Sequence, residues 1–129
     1  MHQPDPAEAV RMLDLMLAFF GDGEGWSRGT LNDGRGRRCL LGALQYIECE
    51  CRVSGASAGA YLRDAIRCRP PTAHIALLSL YRLLPEGSLF AAFNDSCRNF
   101  AELRTVIADA RDRAQADLSS HTVREALVA

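Results

Sequence analysis

Lysine is absent from this 129-residue sequence, so all fifteen lysine-or-arginine positions are arginine. That excludes a Schiff-base amine, the lysine of a phosphate-binding loop and a kinase-type lysine–glutamate pair. Long apolar runs are missing too. Charge or proline interrupts each hydrophobic stretch well before the roughly 18 residues that a membrane-crossing helix needs, and residues 1–10 lack the basic-then-apolar order of a secretory leader. A cytoplasmic chain without a membrane partner is the expectation. Neither sign of charge dominates, because a net charge of −1 leaves no polybasic footprint. No cysteine pair has the Cys-x-x-Cys spacing, and the five cysteines are odd in number and unevenly placed. Reduced thiols are therefore expected rather than a disulfide framework, with no structural metal. No segment alternates with period two for long, which argues against a sheet.

What remains is a composition of 48% hydrophobic and 24% charged residues, suited to one compact domain of about this length. Asp5, Pro6 and Glu8 supply a capping carboxylate, a first-turn proline and a glutamate three residues after the cap. Val10, Leu13, Leu17 and Phe20 then recur at helical spacing until Gly21, predicting a helix over 6–20. A second helix is expected from Cys39, with Leu40, Leu44, Ile47 and Cys51 on one stripe. Gly42 inside it weakens the helix and points to close approach of another backbone. A third is expected over 57–68, and a fourth, apolar almost all round, between Thr72 and Pro85. Residues 88–93 suggest a short helical turn. Asn99 and Glu102 repeat the cap signature ahead of a stripe at Phe100, Leu103, Ile107, Ala110 and Ala114. Thr122 and Glu125 suggest a separate last helix with Val123 and Leu127 as its contacts. The expectation is an all-α bundle of five to six helices in a single domain over 1–129. Its core spans about 6–117, and 118–129 form a short helix or tail.

Between the first two helices, residues 21–38 carry six glycines, four arginines, three acidic residues and the only tryptophan, Trp26. Long loops without periodicity are more often functional than short connections are. Arg35, Arg37 and Arg38 precede a helix start, so guanidiniums, backbone amides and the helix dipole would converge there on a phosphate or carboxylate. The plainer reading is a solvated loop whose arginines pair with Asp22, Glu24 and Asp33. Cys39 at that same helix start has the surroundings of a reactive thiolate, and His74 with Asp95 or Asn94 would complete a nucleophile–base–orienter set. Its plainer reading is a small buried apolar residue.

Three segments also carry a resemblance: Trp26-Ser27-Arg28-Gly29, Cys39-Leu40-Leu41-Gly42-Ala43-Leu44, and Phe93-Asn94-Asp95. In this order they resemble an uncharacterised family of small bacterial and phage proteins. The family is marked by a Trp-x-x-Gly loop, a Cys-Leu-Leu-Gly-Ala-Leu helix and a Trp/Phe-Asn-Asp segment. The resemblance spans about 10–110 and implies that Trp26, Cys39, Asn94 and Asp95 belong together, without supplying an activity. Phe93 stands where that family commonly has tryptophan. Asn94 or Asp95 would then cap a helix or accept hydrogen bonds from the Trp26 indole, loop amides or Arg37.

These observations favour a helical interaction or regulatory module. Trp26, Arg28, Arg35, Arg37, Arg38, Asn94 and Asp95 would meet a protein or an anionic partner, with no cofactor required. Nucleic acid is the weaker partner, because no basic-aromatic platform or recognition helix is evident. The alternatives are a cysteine-dependent hydrolase or transferase built on Cys39, His74 and Asp95, and a structural subunit that dimerises through its long helix around Ile107.

Overall fold

A computed structural model describes residues 3–69 and 84–128. The helix expected between Thr72 and Pro85, and His74 with it, lie outside the described residues up to Leu83. Five helices are described: α1 (Pro6–Phe20), α2 (Leu40–Cys51), α3 (Ala56–Arg67), α4 (Glu86–Ser96) and α5 (Phe100–Val128). The architecture is all-α. Among the described residues the only β-type pairing is an isolated bridge between Trp26 and Arg38. No described helix is long and apolar enough to cross a membrane.

Local chemistry sets the helix ends. The Asp5 carboxylate accepts from the amides of Ala7 at 3.0 Å and Glu8 at 3.4 Å, relieving the unpaired donors of the first turn of α1. The Asp5 amide itself donates to Ser57 Oγ at 2.8 Å, so the cap also ties α1 to the start of α3. Gly21 ends α1 with φ +58°, its amide returning to the Leu17 carbonyl. Asn99 Oδ1 accepts from the Glu102 amide at 3.1 Å, while the Glu102 carboxylate takes the amide of Arg98 at 3.0 Å. That amide, and then the Arg98 guanidinium, hold the Glu102 carboxyl below the usual carboxylate range.

Packing is organised by α5, which lies along α1 and α3, while α2 docks against α1 and α4. Leu103, Ile107, Ala110 and Ala114 of α5 are fully buried against Leu13, Met16 and Phe20 of α1 and Leu62 and Ile66 of α3. Burial of each large side chain here contributes about 1.5–3 kcal/mol. Ile107 is thus an interior residue of one chain, and the expected dimer contact around it is already filled by the chain's own helices.

Two elements differ from the sequence expectation. The turn expected over 88–93 is an eleven-residue helix, α4, because Leu89, Phe90 and Phe93 bury one face and Glu86 lies in its first turn. The separate last helix does not exist, since α5 runs unbroken from Phe100 to Val128. Thr122, read as a cap, instead donates its hydroxyl to the Leu118 carbonyl at 3.0 Å inside the helix. Val123, Leu127 and Val128 are 57%, 81% and 87% exposed and do not contribute to the core. Val123→Ser and Leu127→Ser are accordingly expected to change the unfolding free energy by less than about 0.5 kcal/mol, measured by urea denaturation.

Candidate functional site

The segment between α1 and α2 is shaped by a side chain far away in sequence. Asn94 is completely buried in α4 and uses every hydrogen-bonding position of its amide. Its Oδ1 accepts from the Trp26 indole at 2.8 Å and from the Leu40 amide, the first of α2, at 3.0 Å. Its Nδ2 donates to the Ser27 carbonyl at 3.0 Å and to Asp95 Oδ1 at 3.3 Å. An indole and a backbone amide only donate, and a backbone carbonyl only accepts, so this network admits one orientation of the carboxamide. Asn94 therefore caps α2 from another helix while fixing the start of the loop.

Neighbouring contacts extend the anchorage. Asp95 Oδ1 accepts from the Gly29 amide at 2.8 Å, and the Arg28 guanidinium donates to the Cys97 carbonyl at 3.1 Å. Trp26 is half-buried, its ring centroid 6.0 Å from that of Phe100, with Arg28 5.6 Å above it. Further along, the Leu31 carbonyl passes directly over Gly42 of α2, where an added Cβ would lie 2.1 Å from the oxygen. The close backbone approach expected at Gly42 is present, and the backbone is that of the loop.

The loop is also braced internally. Asp33 Oδ1 accepts from the amides of Arg35 at 2.8 Å and Arg37 at 3.0 Å, and Oδ2 pairs with Arg37 Nε. The Arg35 amide first, and then the Arg37 side chain and amide, hold the Asp33 carboxyl below its ordinary value. The other two acidic residues turn elsewhere. Asp22 pairs with Arg104 of α5 at 2.8 Å, and Glu24 accepts from the Asp22 amide at 2.7 Å.

The convergence expected at the amino end of α2 does not form. Its Leu40 amide is taken by Asn94 and its Gly42 amide by Cys39 Sγ at 3.4 Å. Arg38 lies over the ring of Tyr46, 4.4 Å from its centroid, and the Arg35 side chain is exposed. Arg28 and Arg37 instead rim one hollow of about 300 Å³, together with Trp26, Ser27, Thr30 and Asp33.

Cys39 is 3% exposed, and its sulfur serves as the α2 cap. Asp95, the expected orienter, is occupied by the Gly29 amide, and His74 is outside the described residues. Cys97 is buried as well, and burial, followed by the nearby Glu102 charge, pushes its thiol up to about 12. Cys49, Cys51 and Cys68 are exposed. Iodoacetamide on the native protein is therefore expected to label these three within minutes and to spare Cys39 and Cys97 until denaturant is added, as read by peptide mass mapping. Rapid native labelling of Cys39 would restore the nucleophile reading. Among the described residues no group of three or more His, Cys, Asp or Glu side chains is placed to hold a metal ion.

A larger hollow, about 640 Å³, opens between the amino-terminal arm, α3 and the far end of α5. At its floor the Tyr61 hydroxyl donates to Asp117 at 2.6 Å, and burial together with that carboxylate raises the phenol well above its usual range. None of the site residues singled out in the sequence lines it.

Sequence reasoning missed Leu31, Ser27 and Tyr46, which the site uses through a backbone contact, a carbonyl and a ring. Of these only the Leu31 contact left a trace in the sequence, in the glycine it requires at position 42.

The model of a family of unknown function, DUF6197, matches residues 4–113, and the chain belongs to that family. The matched span holds the loop, Gly42 and Asn94, and stops within α5 ahead of its exposed end. No curated protein and no solved structure matches the chain.

Proposed function

We propose that this member of DUF6197 is a binding module whose contact face is the anchored loop together with the adjoining face of α2, and whose partner is a protein surface that is apolar with acidic groups at its rim. The observation that carries the reading is the buried Asn94 network, which ties the start of a polar, glycine-rich loop at Trp26 and Ser27, and the first amide of α2 beyond its far end, to one side chain of α4. An ordered loop pays little conformational entropy on binding, which is the main cost that preorganised recognition surfaces avoid. The face so held presents Leu31, 47% exposed, and the Arg38–Tyr46 stack, with Tyr46 one helical turn beyond Gly42. Tyrosine and arginine are the side chains enriched among energetically dominant interface residues. Arg35, in the same loop, adds an exposed positive charge.

The test is a displayed-peptide library panned against the wild type and against a Leu31→Asp, Arg38→Ala variant whose folding is confirmed by circular dichroism. Enriched peptides should combine acidic with large apolar residues, perturb the amides of 29–38 and 42–46 in NMR spectra, and bind the variant at least about tenfold more weakly. Peptides that bind both proteins equally, or that map to the Tyr61 hollow, would overturn the reading.

A catalytic role for Cys39 draws less support, because its sulfur is enclosed and already engaged as a helix cap.

A further inference from the structure

The hollow beside Trp26 has a chemistry more specific than a general contact face. Six residues line its roughly 300 Å³: Trp26, Ser27, Arg28, Thr30, Asp33 and Arg37. The polar groups of four are committed to the protein. Trp26 Nε1 donates to Asn94, Ser27 Oγ to the Thr30 carbonyl, and Thr30 Oγ to the Asn32 carbonyl. Asp33 has both oxygens occupied, by two amides and by Arg37 Nε.

The two guanidiniums are different. Arg28 directs one terminal nitrogen to the Cys97 carbonyl, and Arg37 directs Nε to Asp33. Among the described residues, Arg28 Nε and Nη2 and both terminal nitrogens of Arg37 have no hydrogen-bond partner. Two fork-shaped donors, each anchored at one nitrogen and open at others, thus share the rim of one small hollow with an indole ring as its apolar wall. Anchoring matters, because a guanidinium already held in place loses little freedom when an oxyanion arrives.

Charge narrows the ligand. Among the lining residues two guanidiniums stand against one ionised carboxylate, a single positive charge that matches a monoanion. A phosphate dianion would remain uncompensated there.

We infer that this hollow is a carboxylate-binding site, seating a glutamate or aspartate side chain or a chain-terminal carboxylate between Arg28 and Arg37 against Trp26. The inference deepens the proposed partner binding and rests on it for the claim that the carboxylate belongs to a protein. The carboxylate site itself is tested without a partner. The indole N–H of Trp26 and the Nε–H groups of Arg28 and Arg37 are followed in ¹⁵N spectra during titration with sodium N-acetylglutamate, sodium acetate and sodium phosphate at constant ionic strength, with chloride as the blank.

The expected result is a saturable shift of these three signals with both carboxylates, in the millimolar range, and a weaker response to phosphate. Arg28→Gln and Arg37→Gln should each weaken it by about tenfold while the circular dichroism spectrum and urea midpoint of the unliganded protein stay close to those of the wild type. Shifts that are linear and equal to those with chloride overturn the inference, and saturation by phosphate in preference to the carboxylates overturns the ligand class. Should Arg37→Gln lower that midpoint by itself, Arg28→Gln and the wild-type titration still decide the matter. The two failures separate cleanly. Carboxylate binding without any peptide from the library leaves the site and removes the protein partner, whereas peptide binding without carboxylate saturation does the reverse.

Discussion

Replacing Asn94 with alanine is expected to lower the unfolding free energy by about 3–5 kcal/mol, a large share of the 5–15 kcal/mol that holds a domain of this size together. The substitution removes four hydrogen bonds at once, and it strands their partners. The buried Leu40 amide and the half-buried Trp26 indole lose their acceptor, and the half-buried Ser27 carbonyl loses its donor. Each buried donor or acceptor left unpaired costs about 1–3 kcal/mol, with the backbone amide at the start of α2 among the most expensive. Urea denaturation monitored by circular dichroism gives the magnitude, and fluorescence of Trp26, the only tryptophan, reports whether the loop has left its seat. Asn94→Asp separates packing from hydrogen bonding. It keeps the shape and the two accepting contacts but sets a second oxygen against the Ser27 carbonyl and Asp95. A loss comparable to that of alanine would place the effect in the donated bonds, and full stability in both variants would remove Asn94 from its anchoring role. Asp95→Ala should cost only about 1 kcal/mol, because the Gly29 amide that it serves is exposed and water can replace it.

Gly42→Ala is expected to destabilise the protein by about 1–3 kcal/mol, against the sign that helix propensity alone would give. In an open helix interior, alanine is better than glycine by about 1 kcal/mol. Here its methyl would sit 2.1 Å from the Leu31 carbonyl oxygen and 2.9 Å from its carbon, and both are backbone atoms that no rotamer change can move. Either α2 withdraws from the loop or the loop lifts at Leu31, and Leu31 stands at the centre of the proposed contact face. The variant should therefore lose stability and peptide binding together, with faster hydrogen exchange around Leu31. Gly87→Ala in α4 is the control. There a Cβ meets only Leu41 Cδ2 at 3.8 Å, so the variant should be neutral or slightly stabilised. Equal behaviour of the two variants would refute the close approach at Gly42.

The contrast between these residues shows what kind of information the sequence carried. Asp5 and Asn99 were recognisable as caps because their targets lie two or three positions away. The bounds of α1 followed from Pro6 and Gly21 for the same reason. Gly42 was readable as a close approach, but nothing local named Leu31 of the loop as the approaching backbone. Thr122 was misread, since the same hydroxyl that caps a helix can bond back to the carbonyl four residues earlier, as it does to Leu118. The arginines divide. Arg37 pairs with Asp33, as the plainer reading of the loop has it, whereas Arg38 turns to Tyr46 rather than to the start of α2 and Arg28 reaches the Cys97 carbonyl, a partner that nothing local indicates.

The sequence by itself determined an all-α chain, the starts of α1, α2 and α5, and most of the face that each helix buries, because caps and the 3.6-residue period act within a few positions. The tertiary structure alone decided the path of the loop, the capping of α2 by Asn94 and the pairing of Arg28 with Arg37 around one hollow. Those depend on hydrogen bonds between residues 54 to 69 positions apart, and a donor so distant leaves no periodicity at the acceptor from which it could be read.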